Sequence, residues 1–226
     1  MNQTAIVFGA TGLVGKELIF ELLEDAKFLK VIVVVRKQLP FSNPKLEQII
    51  ESDFTNLDHL SVKIAADVFF CCIGTTIKKA GSQDAFRKVD VDLPVIIARL
   101  AESLHVPNLV IISSIGVNAQ TSNFYLKTKA EMEQKVQAVY HGNLKIVRPS
   151  FLLGNRTEYR PVEKIGSVVV KVLSVFMIGF LSKYKGIEAW DVARAMIQSI
   201  NLPKERIIIE SDELQSMAKK AKPTKF

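Results

Sequence analysis

Short apolar runs alternate with longer amphipathic stretches along this chain. The runs Ala5–Phe8, Val31–Val35, Glu47–Ser52, Val68–Ile73, Leu109–Ser113, Leu144–Arg148 and Ile207–Glu210 are rich in β-branched and aromatic residues and predict strands. Several are apolar at every position instead of every second one, the pattern of strands covered on both faces. Between them, Gly12–Leu29, Leu93–Leu104, Asn123–Tyr140 and Ala189–Ile200 carry helical periodicity. Strands alternating with helices predict βαβ units and a parallel sheet with helices on both sides. No internal repeat or low-complexity linker divides the 226 residues, so one domain over 1–226 is expected, with about 149–205 covering a cleft.

Two stretches depart from this scheme. Ile165–Leu181 is strongly apolar but carries Lys171 in its middle, and it falls short of the roughly 20 residues a membrane helix needs. It is expected to pack on the domain or line its cleft as a helix, with peripheral contact at a membrane surface left open. The tail Lys219–Phe226 is basic and expected to fray.

Composition narrows the partners. With 48% hydrophobic and 23% charged residues the chain has the balance of a folded protein, which excludes disorder and a disulfide scaffold. Its net charge of +7 suits an anionic partner without selecting one. Nucleic acid is not expected, because no basic stripe with interleaved aromatics and no recognition helix is present. Cys71 and Cys72 are adjacent in an apolar run and read as reduced, buried thiols. With no secretory pattern after Met1, this predicts a cytoplasmic protein. His59, His105 and His141 lie far apart in ligand-poor surroundings, so no metal site is expected.

The first chemistry-bearing motif is Gly9-Ala10-Thr11-Gly12-Leu13-Val14-Gly15, directly after the first predicted strand. Its first glycine permits a tight turn, the second lets backbone approach a pyrophosphate, and the third lets helix and strand pack closely. The helix N-terminus then offers unpaired N–H groups to the anion. Lys16 suggests a triphosphate P-loop, but that motif requires glycine and Ser or Thr where this chain has Ala10 and Glu17. The turn therefore predicts a dinucleotide.

At the end of the second strand, an NAD-selective protein places a carboxylate for the ribose 2′-hydroxyl. This chain has Arg36 and Lys37 there, and guanidinium pairs well with phosphate oxygens. NADP(H) is expected over NAD(H), against the alternative of a merely solvated strand end. Asp53 is a candidate for the adenine amino group, or equally for a turn cap.

Tyr125 and Lys129 lie four apart in a predicted helix and so share a face. The spacing is common by itself; its place just after the strand ending in Ser113-Ser114 gives it weight, since cofactors bind at that end of open α/β sheets. Tyrosine, with an ordinary pKa near 10, needs a nearby cation such as Lys129 to exchange protons at neutral pH. Tyr125 would then donate a proton to a carbonyl oxygen as hydride arrives, and a serine hydroxyl would polarise that carbonyl.

Taken in order, Gly9–Gly15, Cys71–Thr76 followed by Lys79-Ala80-Gly81-Ser82, Ser113–Gly116, Asn123–Leu126 with Lys129, and Arg148–Arg156 resemble the atypical short-chain dehydrogenase/reductases of the TIP30/CC3-like group. The resemblance runs from about Ala5 to Ser211. It implies a Rossmann-type doubly wound α/β domain that binds NADPH. Thr11, Gly12, Leu13 and Val14 would contact phosphates, and Arg36 and Lys37 the 2′-phosphate. Ile73 and Gly74 would border the adenosine ribose, while Tyr125 and Lys129 would sit at the nicotinamide and its ribose. Ser114 matches the substrate-polarising position better than Ser113, with a one-residue offset left open. The implied function is reduction of a small carbonyl compound or oxidation of an alcohol. Because the group includes regulators, the alternative is an NADPH sensor with little turnover that controls a protein partner.

Overall fold

In the computed structural model, which describes residues 2–62, 65–154 and 185–220, every predicted strand is present. In chain order these are β1 (Gln3–Phe8), β2 (Phe28–Val35), β3 (Leu46–Ile50), β4 (Val68–Cys71), β5 (Asn108–Ile112) and β6 (Asn143–Arg148). A two-residue pair, β7 (Leu152–Leu153) and β8 (Ile187–Glu188), precedes β9 (Ile208–Glu210). The main sheet has the order β3-β2-β1-β4-β5-β6-β9, and its pairings are parallel. The helices are α1 (Leu13–Glu24), α2 (Ile77–Ala80), α3 (Gln83–Arg87), α4 (Leu93–Ser103), α5 (Phe124–Val139), α6 (Ala189–Ser199) and α7 (Ser211–Lys220).

The unbroken apolar runs are explained by the two layers they separate. Along β1, Ala5 and Val7 face the layer holding Leu18 and Leu22 of α1 and Val192 and Met196 of α6. Ile6 and Phe8 face the opposite layer, with Ile97 of α4 and Met132 and Val136 of α5. Neither face meets water, so neither can be polar.

Strand order sets the site. The chain runs outward from β1 through β2 to β3, then crosses back to place β4 on β1's other side. At that reversal the two crossovers diverge, and in open α/β sheets the binding crevice lies at such a point, here beyond the carboxyl ends of β1 and β4. Gly9, Arg36, Cys72 to Thr75 and Ser113-Ser114 all follow the carboxyl end of a strand in this sheet.

Several expectations need correction. Helix α1 stops at Glu24 instead of Leu29, because Asp25 turns to extended backbone and the buried Phe28 opens β2. Strand β3 ends at Ile50, leaving Asp53 in the loop beyond it. Of the tail expected to fray, Lys219 and Lys220 instead close α7, where cations complement the negative end of the helix dipole, and residues 221–226 lie outside the described residues. Ile165–Leu181, and with it much of the expected cleft cover, lies outside the described residues. No described helix is long and apolar enough to cross a membrane.

Candidate functional site

The glycine turn is built by close approach. Gly9 has φ +82°, and a Cβ there would lie 2.5 Å from the carbonyl carbon of Cys72, so the turn is pressed against the end of β4. A Cβ on Gly15 would lie 2.2 Å from the Gly9 carbonyl oxygen, so the first turn of α1 sits on the loop itself. Gly12 caps α1 with no side-chain acceptor, and its N–H donates to Gly9 O at 3.0 Å. The first-turn N–H groups are therefore left for an anion. Thr11 and Gly12 are exposed, whereas Val14 is buried and Leu13 packs against the core. Of Leu13 and Val14, then, only backbone is left to meet a phosphate.

Arg36 and Lys37 follow β2 directly, both exposed, and neither has a hydrogen-bonded or ionic partner among the described residues. Asp53 is partly committed. Its Oδ1 accepts from Thr55 N at 2.8 Å and Thr55 Oγ1 at 2.6 Å, and these bonds hold its carboxyl below the usual range. The turn-capping alternative is thus realised at one oxygen.

Beyond β4, Gly74 borders a buried ion pair: a Cβ there would lie 3.5 Å from Asp90 Oδ1 and 3.9 Å from Lys129 Nζ. Lys129 Nζ and Asp90 Oδ1 are 2.7 Å apart, with side chains 4% and 1% exposed. Burial alone would lower the Lys129 pKa; Asp90 foremost and then Tyr125 outweigh it, so the amine is raised above its ordinary value. Sequence reasoning missed Asp90, which sits on a π-helical turn (Lys88–Asp92) that follows no simple periodicity. Beneath the pair, burial pushes the Cys71 thiol up to about 11, which makes it a packing group rather than a nucleophile.

Tyr125 lies one turn before Lys129 on α5, half-buried, its ring 5.9 Å from that of Phe86. Asn123 starts this helix, its side chain accepting from Leu126 N at 3.1 Å. The two serines differ. Ser113 Oγ donates to Glu133 Oε1 at 2.5 Å, and Glu133 is clasped by Arg148 through Nε at 2.9 Å. The Ser114 hydroxyl makes only a 3.3 Å bond to the carbonyl of Ile115. Ser113 is therefore committed to a buried network and Ser114 is the more available.

Comparisons with known proteins place the chain in a family. Residues 9–203 match the model of the NAD(P)H-binding family. Protein HTATIP2 of Rattus norvegicus is 36% identical over 165 residues, covering 72% of this chain and 68% of that protein. The mitochondrial protein FMP52 of Eremothecium gossypii is 32% identical over 223 residues, covering 96% of this chain and 98% of its own. Among solved structures, the ADP-L-glycero-D-manno-heptose-6-epimerase of Helicobacter pylori superposes with TM-score 0.68 at 21% identity, over 97% of this chain and 82% of that one. The chain shares that structure's fold, a parallel sheet covered by helices on both sides. The cytoplasmic expectation is overturned, since FMP52, matched end to end, is named a mitochondrial protein. Reduced cysteines and the first residues of the chain do not assign the compartment. The chain belongs to the NAD(P)H-binding family, alongside HTATIP2 and FMP52.

Proposed function

We propose that this protein is an NADPH-dependent reductase of a small carbonyl compound, or the dehydrogenase of the corresponding alcohol. One observation carries the reading: a buried Lys129, paired with Asp90 at 2.7 Å, borders Gly74 just beyond β4, with Tyr125 one helical turn away. The residues present fit a dinucleotide, because the uncapped α1 N-terminus suits a pyrophosphate and Arg36 with Lys37 suits a 2′-phosphate. When bound, the nicotinamide supplies the hydride. Gly9, Gly12 and Gly15 shape the phosphate cradle, which Thr11 and the N–H groups of Leu13 and Val14 complete. Ile73 and Gly74 would border the adenosine ribose, and Asp53 would bond the adenine amino group through its remaining oxygen. Lys129 would bond the nicotinamide ribose through its ammonium. Tyr125 passes its hydroxyl proton to the substrate oxygen, which Ser114 orients by a hydrogen bond.

The test is Tyr125→Phe. The variant keeps the ring packing on Phe86 and loses only the transferable proton. NADPH affinity is expected to stay within roughly twofold while turnover falls by at least ~100-fold, the usual share of general acid–base catalysis. Unchanged turnover removes Tyr125 from the mechanism. Tight NADPH binding by the wild type with no carbonyl reduced would favour the sensor reading instead.

A further inference from the structure

The helical segment from Gln83 to Ser103 changes character in its middle, where Lys88–Asp92 forms a π turn between α3 and α4. A π turn admits one extra residue and re-aims the side chains that follow, a departure from ideal packing frequently found at functional sites. Here it carries Asp90 inward, to 1% exposure. Both carboxylate oxygens are used: Oδ1 meets Lys129 Nζ at 2.7 Å, and Oδ2 accepts the Thr75 N–H at 2.8 Å. One carboxylate thus ties α5 to the loop after β4. The spacing matches on the two segments. Phe86 packs on Tyr125 and Asp90 pairs with Lys129, so two residues four apart meet two residues four apart.

We propose that Asp90 is a positioning residue: it fixes the Lys129 ammonium at the edge of the crevice and keeps it charged for the coenzyme ribose. The inference rests on the reading that Lys129 binds the coenzyme. An ammonium has three donors, so pairing one with Asp90 leaves two for hydroxyl groups. A buried ammonium without a counter-charge sheds its proton. The other groups near Lys129 do not replace that counter-charge. Tyr125 on the same helix and Cys71 of β4 favour the ammonium less than Asp90 does, and burial pushes the Cys71 thiol up to about 11. Glu133, one turn on, is bound by Arg148 and Ser113, and Glu131 by Arg87 and Lys135. From α4 and the turn before it, Arg99 and Asp92 line an outer groove with Lys135.

The test is a calorimetric titration of NADPH into the full chain, at several values between about pH 7 and pH 9, where an ordinary lysine stays charged. For the wild type, affinity is expected to be flat with pH. In Asp90→Asn the shape is kept and the charge removed, so affinity should fall by roughly tenfold and fall further as pH rises and Lys129 loses its proton. Lys129→Met should bind weakly with no such trend. In Asp90→Glu the charge is kept and Nζ displaced, so binding should weaken while the profile stays flat. Wild-type affinity with a flat profile in Asp90→Asn overturns the inference. Should that variant not fold, unchanged affinity in Asp90→Glu overturns it equally. A wild type that binds neither NADPH nor NADH sinks the underlying coenzyme reading, a different outcome from either.

Discussion

Arg148 shows how much of the site's framework rests on single side chains. It stands at the end of β6 and reaches Glu133 of α5 and Glu210 of β9, while Glu133 in turn receives Ser113 from the end of β5. Glu133 raises the guanidinium's pKa further by hydrogen bonding. Because the Glu133 side chain is only 4% exposed, Arg148→Met strands a desolvated carboxylate. Breaking a buried pair in this way costs about 3 kcal/mol or more, whereas removing both charges is often nearly neutral. Urea unfolding should show that loss for Arg148→Met and recover most of it in the Arg148→Met/Glu133→Leu double variant. Equal losses in both would mean the network does not act as a unit. At this scale the sequence was legible unevenly. Tyr125, Lys129 and the serine pair are marked by spacing and by the strand before them. Asp90 and Glu133 are not, because a buried acid's meaning lies in the partner the fold delivers to it from more than a dozen residues away.

Among the elements, the β1–α1 junction carries the most stringent geometry. A methyl group on Gly15 would collide with the Gly9 carbonyl oxygen, and that oxygen already accepts the Gly12 N–H. Neither contact can yield without opening the turn. Gly15→Ala should therefore cost about 1–3 kcal/mol of stability, as overpacking does. It should also weaken NADPH binding by more than roughly tenfold, read by melting temperature and by titration. Normal binding in that variant would mean the turn does not hold the coenzyme. The junction is readable in advance because glycine spacing, strand and helix all point the same way. The end of α1 is less so: Leu29 is apolar and suits the helical pattern, yet it stands 52% exposed on β2. There the pairing of Phe28 with Gln3 wins over local periodicity. Short α2 and α3, each capped by a hydroxyl side chain (Thr76 and Ser82), leave too few residues for a period to register.

At the scale of the whole molecule, the sheet order brings residues distant in sequence to one edge, and that edge bears the functional claim. Strand identities alone fix a parallel α/β fold, since runs apolar on both faces must be covered on both faces. The chemistry of the second-strand end is what selects a coenzyme. The family match covers both dinucleotides, so the choice falls to Arg36 and Lys37, which are exposed and uncommitted among the described residues. Charge-assisted hydrogen bonds contribute about 1.5–3 kcal/mol each, less where water and salt screen them. The most direct test is calorimetry of NADPH and NADH binding to the wild type and to the Arg36→Ala/Lys37→Ala variant at low and moderate salt. NADPH should bind the wild type roughly tenfold or more tightly than NADH; the advantage should shrink with salt and vanish in the double variant. Equal affinities in the wild type, or a preference for NADH, would contradict the account.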